Sequence, residues 1–319
     1  MPLLSQVALN TGLTNFALGY APQAGRFVAN EVFPVIPVMK ESGSYRIGGQ
    51  EHLDDQSARN ARHMDGTYAR VDHQYSSASY GCVDYGLESL IRDPITDNAD
   101  AGLDPKQDAV VILREQMLLA QELRVAAALA AATFTSTVDT ALTGGNRWDL
   151  DTSTPIQNVQ TLLDAVQDQS GAPANRLLVN RAVFKALKSH ADILDRIKYG
   201  GTNTSPANVT AQMLAELFGV ERVIVGSAVY NSAKQGQNRS LAQAWGNSVV
   251  AFHYPAAIAN GVATMGAQFS WREDTGGQDL VVEEYRDDTR RGDVVRCRQY
   301  RDEVVVGSLF AARYTTVVS

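Results

Sequence analysis

The sequence predicts a mixed α+β chain, and three observations predict it. An uninterrupted helical period runs over residues 104–134, helices and strands alternate over about 155–260, and the C-terminal part is rich in short β-branched runs. The chain has 319 residues, more than one core usually holds, so two or three subdomains are expected.

Residues 1–38 read as an extended arm, because Pro2, Pro22, Pro34 and Pro37 punctuate short apolar pieces. Such an arm cannot bury Leu3, Leu4, Phe16, Phe27 and Phe33 against itself. It either wraps its own domain or lies on a neighbour. Over 39–80, Gly43–Gly48 and Thr67–Asp72 read as two strands of a long hairpin. Its tip, EHLDDQSARNARHMDG, is polar and is expected to be solvated or held by a partner.

Asp104 can cap the long helix and Pro105 suits its first position. Polar pairs at Gln107/Asp108, Arg114/Glu115 and Gln121/Glu122 alternate with an apolar face of Leu113, Met117, Ala120, Leu123, Ala127 and Ala130. The helix is expected to lie along a sheet. Pro155 opens a second helix that Gly171 ends. A strand at Arg176–Asn180, a helix at Arg181–His190, a helix from Thr210 to Phe218, and strands at Arg222–Gly226 and Ser248–Phe252 follow. Leu280–Val282, Asp293–Arg298 and Glu303–Val306 are further strand candidates.

Composition narrows the function. Hydrophobic residues make up 45% and charged residues 20%, which excludes global disorder. The net charge of −7 argues against a nucleic-acid reader that works by neutralising phosphates. No apolar stretch approaches the roughly 18 residues of a membrane span, and no secretion signal opens the chain. Cys82 and Cys297 are expected as buried free thiols.

The search for chemistry finds no phosphate loop, dinucleotide fingerprint, nucleophile elbow or zincin motif, so no catalytic, cofactor or metal residues are assigned. His52, Asp54, Asp55, His63 and Asp65 cluster in sequence, but their spacings fit no ligand frame. Asp93, Asp97, Asp100 and Asp104 lack the glycine and terminal glutamate of a calcium loop. Residues 283–303 carry seven acids and six arginines but no lysine. That choice suits planar, bidentate carboxylate pairing of the kind frequent at interfaces, beside the plainer reading as a solvated face.

The order of these parts resembles the major capsid proteins of tailed double-stranded-DNA bacteriophages, with the Hong Kong 97-type fold. Local runs resemble that family too. They are Tyr75-(x4)-Tyr80-x-Cys82-(x2)-Tyr85 before Leu87-Glu88, Ala186-Leu187-Lys188 through Ile193–Tyr199, and Leu214–Val220 followed by Val223–Gly226 and Ala228–Asn231. The resemblance implies an N-arm at 1–38, an E-loop hairpin at 39–80 and a P-domain at 81–154 with the spine helix 104–134. It further implies an A-domain at 155–262 and returning P-domain strands at 263–319. It implies hexamers and pentamers of this chain closing an icosahedral shell, assembled in the bacterial cytoplasm, around DNA held without sequence-specific binding. A portal is implied as a partner, and no membrane.

The expected inter-subunit residues are Phe16, Phe27 and Phe33 of the arm, Arg46, Arg59, Arg62 and Arg70 of the hairpin, and Arg290, Arg291, Arg296, Arg298 and Arg301 of the charged stretch. No lysine lies between Lys40 and Lys106, so the lysine–asparagine cross-link of some relatives is not expected. No long charged helical region opens the chain, so a separate scaffolding protein is expected, with a decoration protein as a further possible partner. The rivals are an encapsulin-like cargo shell on the same fold and a soluble α/β enzyme built on residues 155–260.

Overall fold

A computed structural model describes residues 8–20, 26–47, 66–68, 76–99, 104–135, 138–200, 209–258 and 262–319, with the side chains of 198–200 left aside. The first half contains β1 (Ala8–Leu9), α1 (Thr11–Gly19), α2 (Ala29–Val32), β2 (Val35–Val38), β3 (Ser42–Ile47), β4 (Ser76–Gly81), β5 (Val83–Arg92), α3 (Asp93–Asp97), α4 (Pro105–Ala131) and β6 (Asp139–Ala141). Next come α5 (Pro155–Ser170), β7 (Arg176–Asn180), α6 (Arg181–Ser189), α7 (Ala191–Gly200), α8 (Ala211–Phe218), β8 (Arg222–Gly226), β9 (Val229–Asn231), β10 (Leu241–Gln243) and β11 (Val249–Phe252). Four strands close the chain: β12 (Gly266–Trp271), β13 (Val281–Asp287), β14 (Gly292–Val305) and β15 (Ala311–Thr315).

One sheet is organised around β14. Strand β5 pairs along one edge of it, antiparallel, from Arg92 opposite Gly292 to Val83 opposite Arg301. Strands β13 and β12 share the other edge, and β2 adds to β12 in parallel. Helix α4 lies on this sheet: Val110, Leu113 and Met117 pack with Leu280, Val282, Val295 and Cys297. The second sheet runs β6-β15-β11-β7-β8. Its strands alternate between two cores. Leu177, Val179, Val223, Val249 and Ala251 face Leu162, Val166 and Leu214 on helices α5 and α8. Leu178, Ile224, Val250 and Phe252 face Val125, Ala126 and Leu129 of α4, together with Val28, Val32 and Phe33. Burial on both faces makes these strands continuous apolar runs, which is why they are legible in the sequence.

Local chemistry sets the element ends. Asp104 accepts from Lys106 N, Asn180 from Val183 N and Thr210 from Met213 N, each capping the helix that follows. Gly171 and Gly219 end α5 and α8 with φ of 68° and 71°, a conformation that glycine adopts without strain.

Four expectations are corrected. Residues 1–38 are not extended throughout: α1 forms where no proline interrupts, Asn10 caps it through Leu13 N, and Thr14 and Ala17 face inward. The strand that pairs with β3 is Ser76–Gly81, not Thr67–Asp72. Of the latter, Thr67 and Tyr68 are non-strand and 69–72 lie outside the described residues. The candidates Asp293–Arg298 and Glu303–Val306 are one strand, because the residues between them stay in the ladder: Gln299, Tyr300 and Arg301 pair with β5, and Arg301 and Asp302 with β12. On α4 the polar pair Gln121–Glu122 is buried, whereas Ala127 and Ala130 are exposed.

The arm packs tightly against the start of β12. A Cβ at Gly266 would stand 2.4 Å from Phe33 Cε1, in a ring with no exposed surface. Gly266→Ala is expected to cost about 1–3 kcal/mol of protomer stability, read as a lower urea midpoint at unchanged slope.

Candidate assembly surface

The arm reaches the surface only after being tied to the chain's own core. Glu122, on α4 and fully buried, accepts from Val28 N and Ala29 N at 2.8–3.1 Å and from Trp245 Nε1 at 2.6 Å. It thereby caps α2, whose own first residues offer no side-chain cap. Burial pushes its carboxyl above the ordinary 4.5, against the hydrogen bonds from Val28, Trp245 and Ala29. Beside it, Gln121 Nε2 donates to Gln268 Oε1 and Asn30 Oδ1, and Gln268 Nε2 donates to the carbonyls of Ala29 and Phe33. Further along α4, Glu115 accepts from Tyr20 Oη at 2.7 Å and pairs with Arg26 at 3.2 Å.

The β3–β4 hairpin is fastened at its base. The ring of Phe269 lies between Tyr45 and Tyr80, with centroids at 5.1 and 4.6 Å. Gly81 N donates to Asp302 Oδ2, and Cys82 N to the carbonyl of Glu41.

The arginine-rich stretch pairs mainly inside the protomer. Arg296 meets Glu88 at 3.0 Å and Glu283 at 3.8 Å, and Arg298 holds Glu283 and Asp274 at 2.7 and 2.6 Å. Arg124 binds Glu303 through two nitrogens and stacks over Tyr85. Hydrogen bonds from Arg286 and from Arg298 hold Asp93 and Asp274, respectively, below the ordinary carboxylate value of 3.8, and Lys106 does so for Asp293.

The expected interface residues therefore divide. Phe16 is 38% exposed on α1, Phe27 is half-buried under Arg26, and Arg46, Arg290 and Arg291 are exposed. Arg296 and Arg298 are committed to their own acids. Two expectations are corrected: Phe33 is fully buried and Arg301 is 1% exposed, bound to Asp279 and Gln268, so neither presents a side chain to a neighbour. Arg59, Arg62 and Arg70 lie outside the described residues, as do His52, Asp54, Asp55, His63 and Asp65.

The described cavity beside α5 and α7 gathers no nucleophile and base. It measures about 550 Å³ and is lined, among the described residues, by Thr154, Ile156, Gln157, Asp192, Asp195 and Arg196, with no His, Cys or Ser among them. Ser153 and His190 do meet, at 3.0 Å, but both are buried. Among the described residues no three His, Cys, Asp or Glu converge on a metal position, and no helix is long and apolar enough to cross a membrane. Cys82 and Cys297 are buried free thiols, each pushed up to about 11 by burial, which keeps them protonated and unreactive.

Glu122→Ala leaves three buried donors without an acceptor and is expected to cost about 3–5 kcal/mol. Glu122→Gln, which keeps one carbonyl oxygen, should lose clearly less; equal losses in denaturant titrations would refute the capping role. The depressed Asp93, Asp274 and Asp293 favour folding above 3.8, and that contribution is lost as pH falls through their lower folded values. Urea midpoints should therefore drop with acid, and Arg298→Gln should flatten the part of that drop due to Asp274.

Known proteins share this architecture. The sequence profile described as phage major capsid protein E matches residues 126–292. A major capsid protein of Burkholderia phage BcepMu is 26% identical over 257 residues, covering 76% of this chain and 75% of its own. The crystal structure of a phage-related protein from Bordetella bronchiseptica RB50 superposes with a TM-score of 0.76 at 23% identity, covering 98% of both chains. The SrpI encapsulin of Synechococcus elongatus superposes at 0.53 with 13% identity, again over 98% of both chains.

Proposed function

Because the chain belongs to the phage major capsid protein E family, we propose that it builds its shell from hexamers and pentamers, using the arm and hairpin as the parts exchanged between copies. The chain is a major capsid protein, a structural and non-enzymatic component of the virion that associates with itself. Its fold is mixed α+β and of the Hong Kong 97 type, shared by phage capsids and an encapsulin.

Within that frame, residues 1–38 serve as the N-arm, 39–80 as the E-loop and 155–262 as the A-domain. Residues 81–154, with α4 as spine helix, and 263–319 together serve as the P-domain. The observation that carries this reading is the fastened base of the β3–β4 hairpin. A paired strand stem, Ser42–Ile47 with Ser76–Gly81, stacks through Tyr45 and Tyr80 on Phe269 of the six-stranded sheet, the rigid base that a hairpin shared with a neighbour needs. One repeated head-to-tail contact of this kind closes rings. Charge pairs of modest strength give register while leaving assembly correctable. A separate scaffolding protein and a portal complete the assembly in this reading, with a decoration protein as a possible addition. The net acidic chain holds packaged DNA loosely, without reading its sequence.

Expression alone and with neighbouring genes, followed by electron microscopy, tests the reading. Rings, tubes or shells are expected, and small uniform shells recruiting a cargo peptide would favour the encapsulin-like use of the fold. A monodisperse monomer at high concentration, even with scaffold present, would overturn the proposed route. Arg46→Glu, on the exposed side of β3, is expected to lower the yield of closed shells while leaving a folded protomer, checked by circular dichroism. Wild-type yield would place the hairpin contact elsewhere.

A further inference from the structure

The seam between α4 and the six-stranded sheet contains more buried positive charge than its carboxylates match. Arg301 donates through its two terminal nitrogens to Gln268 and Asp279, but its Nε–H has no partner. On α4, the partly buried Arg114 has both Nε and Nη1 enclosed and without a partner, and Arg301, Asp279 and Cys297 are the charged or ionisable groups whose fields reach it. Asp279, the carboxylate of this seam, is already shared by Arg301 and Arg272.

Several described acids of the helix and the facing strands are already engaged elsewhere. On the same helix, Glu115 is held by Tyr20 and Arg26, and Glu122 by the arm and Trp245. On the facing strands, Glu283 is bound to Arg298 and Glu303 to Arg124. A buried carboxylate or lysine can escape such an imbalance by changing protonation, but a guanidinium cannot. A buried cation without a counter-charge is costly. Burial is the main force lowering the Arg114 pKa, and Arg301 acts in the same direction, with Asp279 opposing both, so these groups share one environment.

We propose that Arg114 and Arg301 bind a small inorganic anion between the long helix and the sheet, with the Arg114 Nε–H and Nη1–H and the Arg301 Nε–H as its donors. Chloride is the simplest occupant, and phosphate shares the chemistry. The anion would act as a structural pin, holding the helix to the strand that carries the rest of the sheet. The proposal does not depend on the capsid reading.

The test is thermal unfolding of the full chain in sodium chloride, sodium phosphate and sodium gluconate at equal ionic strength, together with bromide-soaked crystals. Chloride should raise the melting temperature over gluconate and saturate. Phosphate matching or exceeding chloride would point to an oxyanion as the natural occupant. Arg114→Met should melt at the same temperature in chloride and gluconate. Bromide should give anomalous density within hydrogen-bond distance of the Arg114 nitrogens. Identical wild-type melting in all three salts, or ordered water alone at the guanidinium, would overturn the proposal. If the variant does not fold, the wild-type titration and the bromide density decide the question by themselves.

Discussion

Everything the arm does begins from one buried carboxylate. Glu122 sits where α4, the arm and the five-stranded sheet meet, and its two oxygens serve three donors from two distant parts of the chain. A carboxylate in an apolar interior is costly unless it is fully hydrogen-bonded. Here the cost is offset by satisfying the first N–H groups of α2, which would otherwise be orphans, and an indole N–H that no other group reaches. The arm is thus anchored at Val28–Ala29, and this knot adds to the pairing of Ala8–Leu9 with β13 and to the contacts of Tyr20 and Arg26 with Glu115.

The second constraint is the length of β14. One strand pairs with three others, so the positions of β5, β12 and β13 are not independent. A register slip of one residue would turn Val295, Cys297 and Arg301 away from α4 and expose them. The polar seam of Gln121, Gln268 and Arg301 makes such a slip more costly, because each group has a specific partner. Apolar packing supplies much of the adhesion between helix and sheet, and the polar seam supplies the address.

Much of the fold was legible in the sequence, for identifiable reasons. Strands β7 and β8 and helices α5 and α8 are read to within a residue because both sheet faces are buried, Pro155 opens α5, Thr210 caps α8, and a glycine ends each helix. Helix α1 was hidden by the surrounding prolines and by its two glycines. The continuity of β14 was hidden because Gln299 and Arg301 are polar yet buried, which breaks the expected apolar pattern. The tie at Glu122 left no trace in composition, since two of its three donors are backbone N–H groups. The inter-subunit residues were the least legible. Arginine abundance predicts carboxylate pairing, but it does not say whether the carboxylate belongs to the same chain. For Arg296, Arg298 and Arg301 it does.

The last strand has a consequence for timing. β15 lies between β6 and β11, inside the five-stranded sheet, although β6 and β11 are made long before it. Until Ala311–Thr315 leaves the ribosome, that sheet has a gap and β11 offers an open edge. β14, only a few residues earlier, is likewise needed before β5 has a partner. A product cut before Ala311 should therefore keep the gap in the five-stranded sheet, and one cut before Gly292 should also leave β5 unpaired. For a protein made in many copies and destined to stick to itself, this ordering is a form of quality control: a chain broken off before these strands cannot present the same surface.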